Sequence, residues 1–147
     1  MHDTAKPVHL RWQYLLLVFA GGTAGTALRE AVGLLTPSGG FPLTTMGINV
    51  TGAFLLGALL EALVRRGPDA GRRRGTRVLL GTGVLGGFTT YSALATDTSL
   101  LFADGNVGAA LLYAGGTLVL GALATWLGIA ASAARHRRGT SRAGGVA

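Results

Sequence analysis

Four long apolar segments, each bounded by polar or turn-forming residues, organise this chain. They run from Trp12 to Leu35, from Leu43 to Val64, from Val78 to Phe102 and from Val107 to Ala134. A helix needs about 20 mainly apolar residues to cross the hydrocarbon core of a bilayer, so each segment predicts a transmembrane helix. Trp12 and Tyr14 read as interface anchors. Pro37-Ser38-Gly39-Gly40 and Pro42 predict a turn before the second span. The connection Arg65–Arg77 is polar and arginine-rich, and residues 135–147 form a basic Gly/Ser-containing tail predicted to be disordered. The 147 residues read as one membrane domain, and an even number of spans places both termini on the same side. A cleaved secretory signal is the competing reading of the N-terminus, with Lys6 and Arg11 as its charged region and Tyr14–Ala20 as its apolar core. Arg29 and Glu30 arrive only after a stretch long enough to span, and three more spans follow, which favours an uncleaved first helix.

Polar groups at membrane depth are costly, so their arrangement is informative. In the first span Gly22, Gly25, Thr26 and Arg29 share one helical face, and Gly21 and Gly25 form a GxxxG pair. This predicts a tight helix–helix contact with Arg29 reaching the interface, or an arginine that attracts anions at a pore mouth. In the second span Thr45, Asn49 and Gly52 share a face; buried Asn49 must bond across helices or line a water-filled path. The third span contains Gly81-Thr82-Gly83-Val84-Leu85-Gly86-Gly87-Phe88-Thr89-Thr90-Tyr91-Ser92, a poor continuous helix. A break near Gly86–Thr90 would free main-chain groups, which membranes tolerate only inside protein or along a cavity, commonly where ions bind. The alternative is a glycine-packed continuous helix. In the fourth span Tyr113, Thr117, Gly121 and Thr125 form one narrow stripe, either packing contacts or a row of hydroxyls along a pathway.

Composition supports a membrane class. The chain is 49% hydrophobic and only 13% charged, where soluble domains carry about 25% charge, and its mean hydropathy is +0.47. There are no cysteines, which excludes disulfides, thiolate zinc sites and cysteine nucleophiles. No catalytic set emerges, and the chain reads as a non-enzyme. His2, His9 and His136 lie outside the spans, and the carboxylates Asp3, Glu30, Glu61, Asp69, Asp97 and Asp104 are scattered without metal spacing. The formal charge of +7 sits at the ends and in one central run. That pattern matches cytoplasmic loops rather than a nucleic-acid face.

Three motifs in order carry a family resemblance: Gly21-Gly22-Thr23-Ala24-Gly25-Thr26-Ala27-Leu28-Arg29, then Gly47-Ile48-Asn49-Val50-Thr51-Gly52-Ala53-Phe54-Leu55-Leu56-Gly57, then Thr82-Gly83-Val84-Leu85-Gly86-Gly87-Phe88-Thr89-Thr90-Tyr91-Ser92. From about Leu15 to Leu127 the chain resembles the Fluc/CrcB family of small four-helix fluoride channels. The resemblance implies an all-α membrane protein whose third helix breaks at mid-membrane, and an antiparallel dimer with two fluoride paths. It implies a structural sodium ion at the dimer centre, held by main-chain carbonyls that would belong to Gly86 and Thr89. Asn49 matches the family's pore asparagine, Arg29 its first-helix arginine, and Tyr113 and Thr117 its fourth-helix polar track. Asn49, Ser92 and Thr117 would supply the N–H and O–H donors that a dehydrated fluoride needs.

The sequence departs from the family at its two pore phenylalanines, where it has Tyr91 and Leu94. All 13 Lys and Arg residues except Arg29 fall on one side of a four-span arrangement. That bias predicts a cell-membrane protein with both termini cytoplasmic, partnered by an oppositely inserted paralogous chain that supplies the missing aromatic edge. A homodimer that tolerates the bias is the alternative assembly, and two functional rivals stay open. One is a small proton-coupled exporter, for which Glu61 and Asp97 are the candidate carboxylates and Glu30 sits beside Arg29. The other is a non-conducting partner subunit of a channel.

Overall fold

A computed structural model of the protein describes residues 11–36 and 41–143, with side chains up to residue 137. The expected turn at Pro37–Gly40, together with Lys6, His2, His9 and Asp3, lies outside the described residues. The described chain is helical: α1 (Trp12–Leu35), α2 (Leu43–Val64), α3 (Gly71–Thr76), a π-helical segment π1 (Arg77–Leu85), α4 (Gly86–Phe88), α5 (Tyr91–Ala103) and α6 (Val107–Ala143). Four stretches are long and apolar enough to cross a membrane: α1, α2, the run from Gly71 to Ala103, and α6 as far as Arg137. At about 1.5 Å per residue, α1 covers roughly 36 Å, enough for a hydrocarbon core of about 30 Å. Exposure is inverted relative to a water-soluble globule. Phe19 and Leu112 are 74% and 73% exposed, as side chains that meet lipid are.

Glycine sets the helix spacing. A Cβ on Gly25 would collide with the Val84 carbonyl oxygen, and one on Gly21 would lie 2.5 Å from that of Leu79. The GxxxG face of α1 therefore meets π1 backbone to backbone, a contact no side chain could occupy. A second seam joins α2 to α6, where a Cβ on Gly57 would collide with the Thr125 carbonyl oxygen and one on Gly128 with that of Phe54. Towards the other end of α6, Leu94, Leu101, Ala110 and fully buried Tyr113 form a small core flanked by Phe41 and Met46.

Two boundaries differ from the sequence reading. Helical structure in the third span begins at Gly71 rather than Val78, because the arginines there hold the preceding loop closed instead of lying in it. Arg73 donates to the carbonyls of Arg66 and Pro68, and Arg77 donates to both carboxylate oxygens of Asp69 at 3.1 and 2.7 Å. The fourth helix runs nine residues past Ala134, to Ala143. This stretch contains no proline, and its arginines and alanine are good helix formers.

Candidate functional site

The third span is broken, and threonines break it. Thr89 (φ −76°, ψ 156°) and Thr90 (φ −147°, ψ 120°) are extended between α4 and α5. The glycines before them stay helical, and of these Gly83 and Gly87 pack against the backbone of α1. Threonine suits both positions: its β-branch favours extended backbone, and the Thr90 hydroxyl caps α5 by accepting the Ala93 N–H at 3.2 Å. Thr90 Oγ1 also lies 3.1 Å from Ser92 Oγ.

Asn49 on α2 holds the break. Its Nδ2 donates to the Thr90 carbonyl at 2.9 Å, and its Oδ1 accepts the Thr90 N–H at 2.8 Å. One amide side chain thus satisfies both backbone groups of the residue that left the helix, and keeps a second Nδ2 proton for another acceptor. The same geometry releases carbonyls. In an unbroken helix the Thr90 N–H would bond to the Gly86 carbonyl and the Ala93 N–H to that of Thr89; both are directed elsewhere.

Beside the break lies a cavity of about 300 Å³ between α2, α5 and α6. Its walls include Asn49, Thr89, Thr90, Tyr91, Leu94 and Thr117, continued by Gly121 and Thr125. The structure therefore brings together four of the residues singled out as pore-lining: Asn49, Tyr91, Leu94 and Thr117. Tyr91 is largely exposed and Leu94 buried. Three other expected site residues stand apart from this wall. Tyr113 is buried in the core, its ring edge-on to Phe41 at 5.6 Å and its hydroxyl donating to Asp97 Oδ2 at 3.0 Å. Ser92 is exposed beyond the Thr90 cap. Arg29 lies on α1, which contributes nothing to the cavity, and its nearest carboxylate is Glu30 at 3.4 Å. The Thr117 hydroxyl donates to the Tyr113 carbonyl at 2.6 Å, so it presents an oxygen rather than a proton to the cavity.

The sequence reading missed Thr90 as the pivot of the site. The available signal was a threonine directly ahead of a helical run, an N-cap pattern. Among the described residues, His136 and the carboxylates form no group of three able to hold a metal. Glu61 pairs with Arg65 at the end of α2, and Asp97 is held by Tyr113; neither lines the cavity.

Four spans, a broken third span and a largely apolar cavity that a few polar groups enter beside the break define a small multi-pass helical membrane protein. Residues 16–129 match the family model described as "CrcB-like protein, Camphor Resistance (CrcB)". The chain is 53% identical over 137 residues, covering 92% of this chain and 94% of its relative, to "Fluoride-specific ion channel FluC 2" of Leifsonia xyli subsp. xyli. It is 45% identical over 117 residues, 78% of this chain and 82% of the other, to "Fluoride-specific ion channel FluC 1" of Cutibacterium acnes. It is also 44% identical over 116 residues, 77% and 90%, to "Fluoride-specific ion channel FluC" of Thermus thermophilus. The chain belongs to the CrcB family and is a multi-pass membrane protein.

Proposed function

We propose that this chain is a subunit of a fluoride-selective channel that lowers cytoplasmic fluoride by passive export. The observation that carries the proposal is its 53% identity, over 92% of its length, to a protein named as a fluoride-specific channel. Fluoride is small, strongly hydrated and a hydrogen-bond acceptor, so a path for it must replace water with donors. The spare Nδ2 proton of Asn49 is one. The first turn of α5 starts at Tyr91 on the cavity wall, and its amides carry the positive end of the helix dipole. Export needs no coupling, because a negative interior expels an anion by about 2.3 kcal/mol per 100 mV. A proton-coupled exporter would want a carboxylate in the path, and the positions of Glu61 and Asp97 disfavour it.

The active unit in this reading is an antiparallel dimer with sodium at its centre. The released carbonyls of Gly86 and Thr89 fit that role: a hard cation takes oxygen ligands, and unwound backbone is a common source of them. Sodium would neutralise carbonyl dipoles brought together from two chains, and it is structural rather than transported. The partner is a paralogous chain inserted the opposite way. Supporting this, Arg65 and Arg66, which follow α2, and Arg135 in the last third of α6 line one cavity, so these two arginine-rich stretches lie together. Such clustering favours one orientation, with both termini cytoplasmic. Leu94 on the cavity wall supports it too, since this chain alone lacks an aromatic edge there.

Liposomes carrying this chain, alone and with a paralogous chain, test the proposal. Fluoride should leave rapidly and chloride barely, and only the pair should conduct fully. Chloride flux equal to fluoride flux would sink the fluoride reading. Thiol labelling of Asn106→Cys and Thr140→Cys in cells reads orientation, and equal labelling of each from both sides would sink the single-orientation reading.

A further inference from the structure

We infer that the groove between α2 and the second half of α6 is a seat for one anionic phospholipid, with its acyl chain in the groove and its phosphate at an arginine rim. The groove has a volume of about 640 Å³. Its floor is apolar, built from Phe54, Ala58 and Ala62 of α2 and Ala131 of α6. One end is cationic, where Arg65, Arg66 and Arg135 converge beside His136. Glu61 offsets the Arg65 charge, whereas among the described residues no carboxylate pairs with Arg66 or Arg135. From Ala58 to Arg65 the helix rises roughly 10 Å, so the apolar floor lies deeper along the bundle than the basic rim.

That gradient selects the occupant. A soluble anion would leave the apolar floor unused, and a neutral lipid would leave two arginines without a counter-charge. A phospholipid with a net negative headgroup satisfies both, and basic pockets between helices at a cytoplasmic face suit such headgroups. The groove is separate from the proposed ion path. Ala58 follows Asn49 by nine residues, two and a half turns at about 3.6 residues per turn, so the two face opposite sides of α2. The inference rests on the cytoplasmic placement of this end of the bundle proposed above, and not on fluoride selectivity.

Native mass spectrometry of the full-length protein in detergent tests it, with phosphatidylglycerol and phosphatidylcholine of matched chains as probes. This readout depends on neither orientation nor conduction, so its failure is distinguishable from theirs. Wild type should retain phosphatidylglycerol in preference to phosphatidylcholine. Arg66→Gln and Arg135→Gln should each weaken phosphatidylglycerol about fivefold, the usual size of an interfacial basic residue's effect, and leave phosphatidylcholine unchanged. Ala131→Phe, which fills the groove and keeps the arginines, should also release phosphatidylglycerol. Equal retention of the two lipids would overturn the inference. So would displacement of phosphatidylglycerol by inorganic phosphate, which would mark a site for soluble anions, or a dimer that binds none because a partner subunit fills the groove.

Discussion

Replacing Asn49 with leucine should unfold the break before it changes the path. Leucine is close in size but can neither accept the Thr90 N–H nor donate to the Thr90 carbonyl. Thr90 is only 8% exposed, so water can replace the lost partner only from the cavity side. A buried backbone group left unsatisfied costs about 1–3 kcal/mol, and two such groups together cost about 2–6 kcal/mol. Asn49→Asp keeps an acceptor for the Thr90 N–H and should lose about half of that. Denaturant unfolding in mixed micelles measures stability, and fluoride efflux from liposomes measures function. Both variants should lose efflux, with stability ranked wild type, then Asn49→Asp, then Asn49→Leu. If Asn49→Leu abolished efflux while stability stayed within about 0.5 kcal/mol of wild type, Asn49 would be an ion-facing donor only, and its role as clamp would be wrong.

Gly25→Ala should destabilise by at least the ~1–3 kcal/mol of an overpacked core, because its Cβ would overlap the Val84 carbonyl. Gly33→Ala, with open space around its Cβ, should instead gain about 0.5–1 kcal/mol; melting curves separate the two. Leu94→Phe should raise fluoride efflux of this chain on its own by restoring a ring at the cavity wall, and unchanged efflux would discard the missing-edge explanation. The Asp69 carboxyl is held below its ordinary value of 3.8, first by the hydrogen bond from Arg77. A lowered folded value means that its stabilising effect is complete above the ordinary value and fades as pH falls through the folded one. Hydrogen exchange in residues 65–70 should therefore quicken at acid pH in wild type and show no such step in Asp69→Asn.

The spans were legible because membrane helices are specified by local content. Length and hydropathy alone mark Trp12–Leu35 and Leu43–Val64, and nothing beyond the segment is needed to satisfy its backbone. The glycine face of α1 was legible for the same reason: Gly21 and Gly25 repeat at helical spacing, and close approach is what missing side chains permit. The start of α3 was not, because arginines that fold back onto Arg66, Pro68 and Asp69 look the same in sequence as arginines in an open loop.

The site shows the same division more sharply. The third span breaks inside the Gly86–Thr90 interval that its composition indicated, at the threonine end of it rather than at the glycines. Helix propensity counts glycine as a breaker in isolation; here each glycine against α1 is held helical by a contact that needs it. The break falls at Thr89–Thr90, where a partner 41 residues away takes over both backbone groups. Asn49 could be read as a residue that must find partners, not as one that finds them in a main chain. This changes what its chemistry can be. An asparagine that holds Thr90 by two bonds has a fixed orientation, so if its remaining N–H serves an ion as proposed above, that donor cannot turn away when the ion leaves. Pre-set donors cost no reorganisation on binding, so in the proposed path the same two bonds that keep the helix broken would keep a donor aimed.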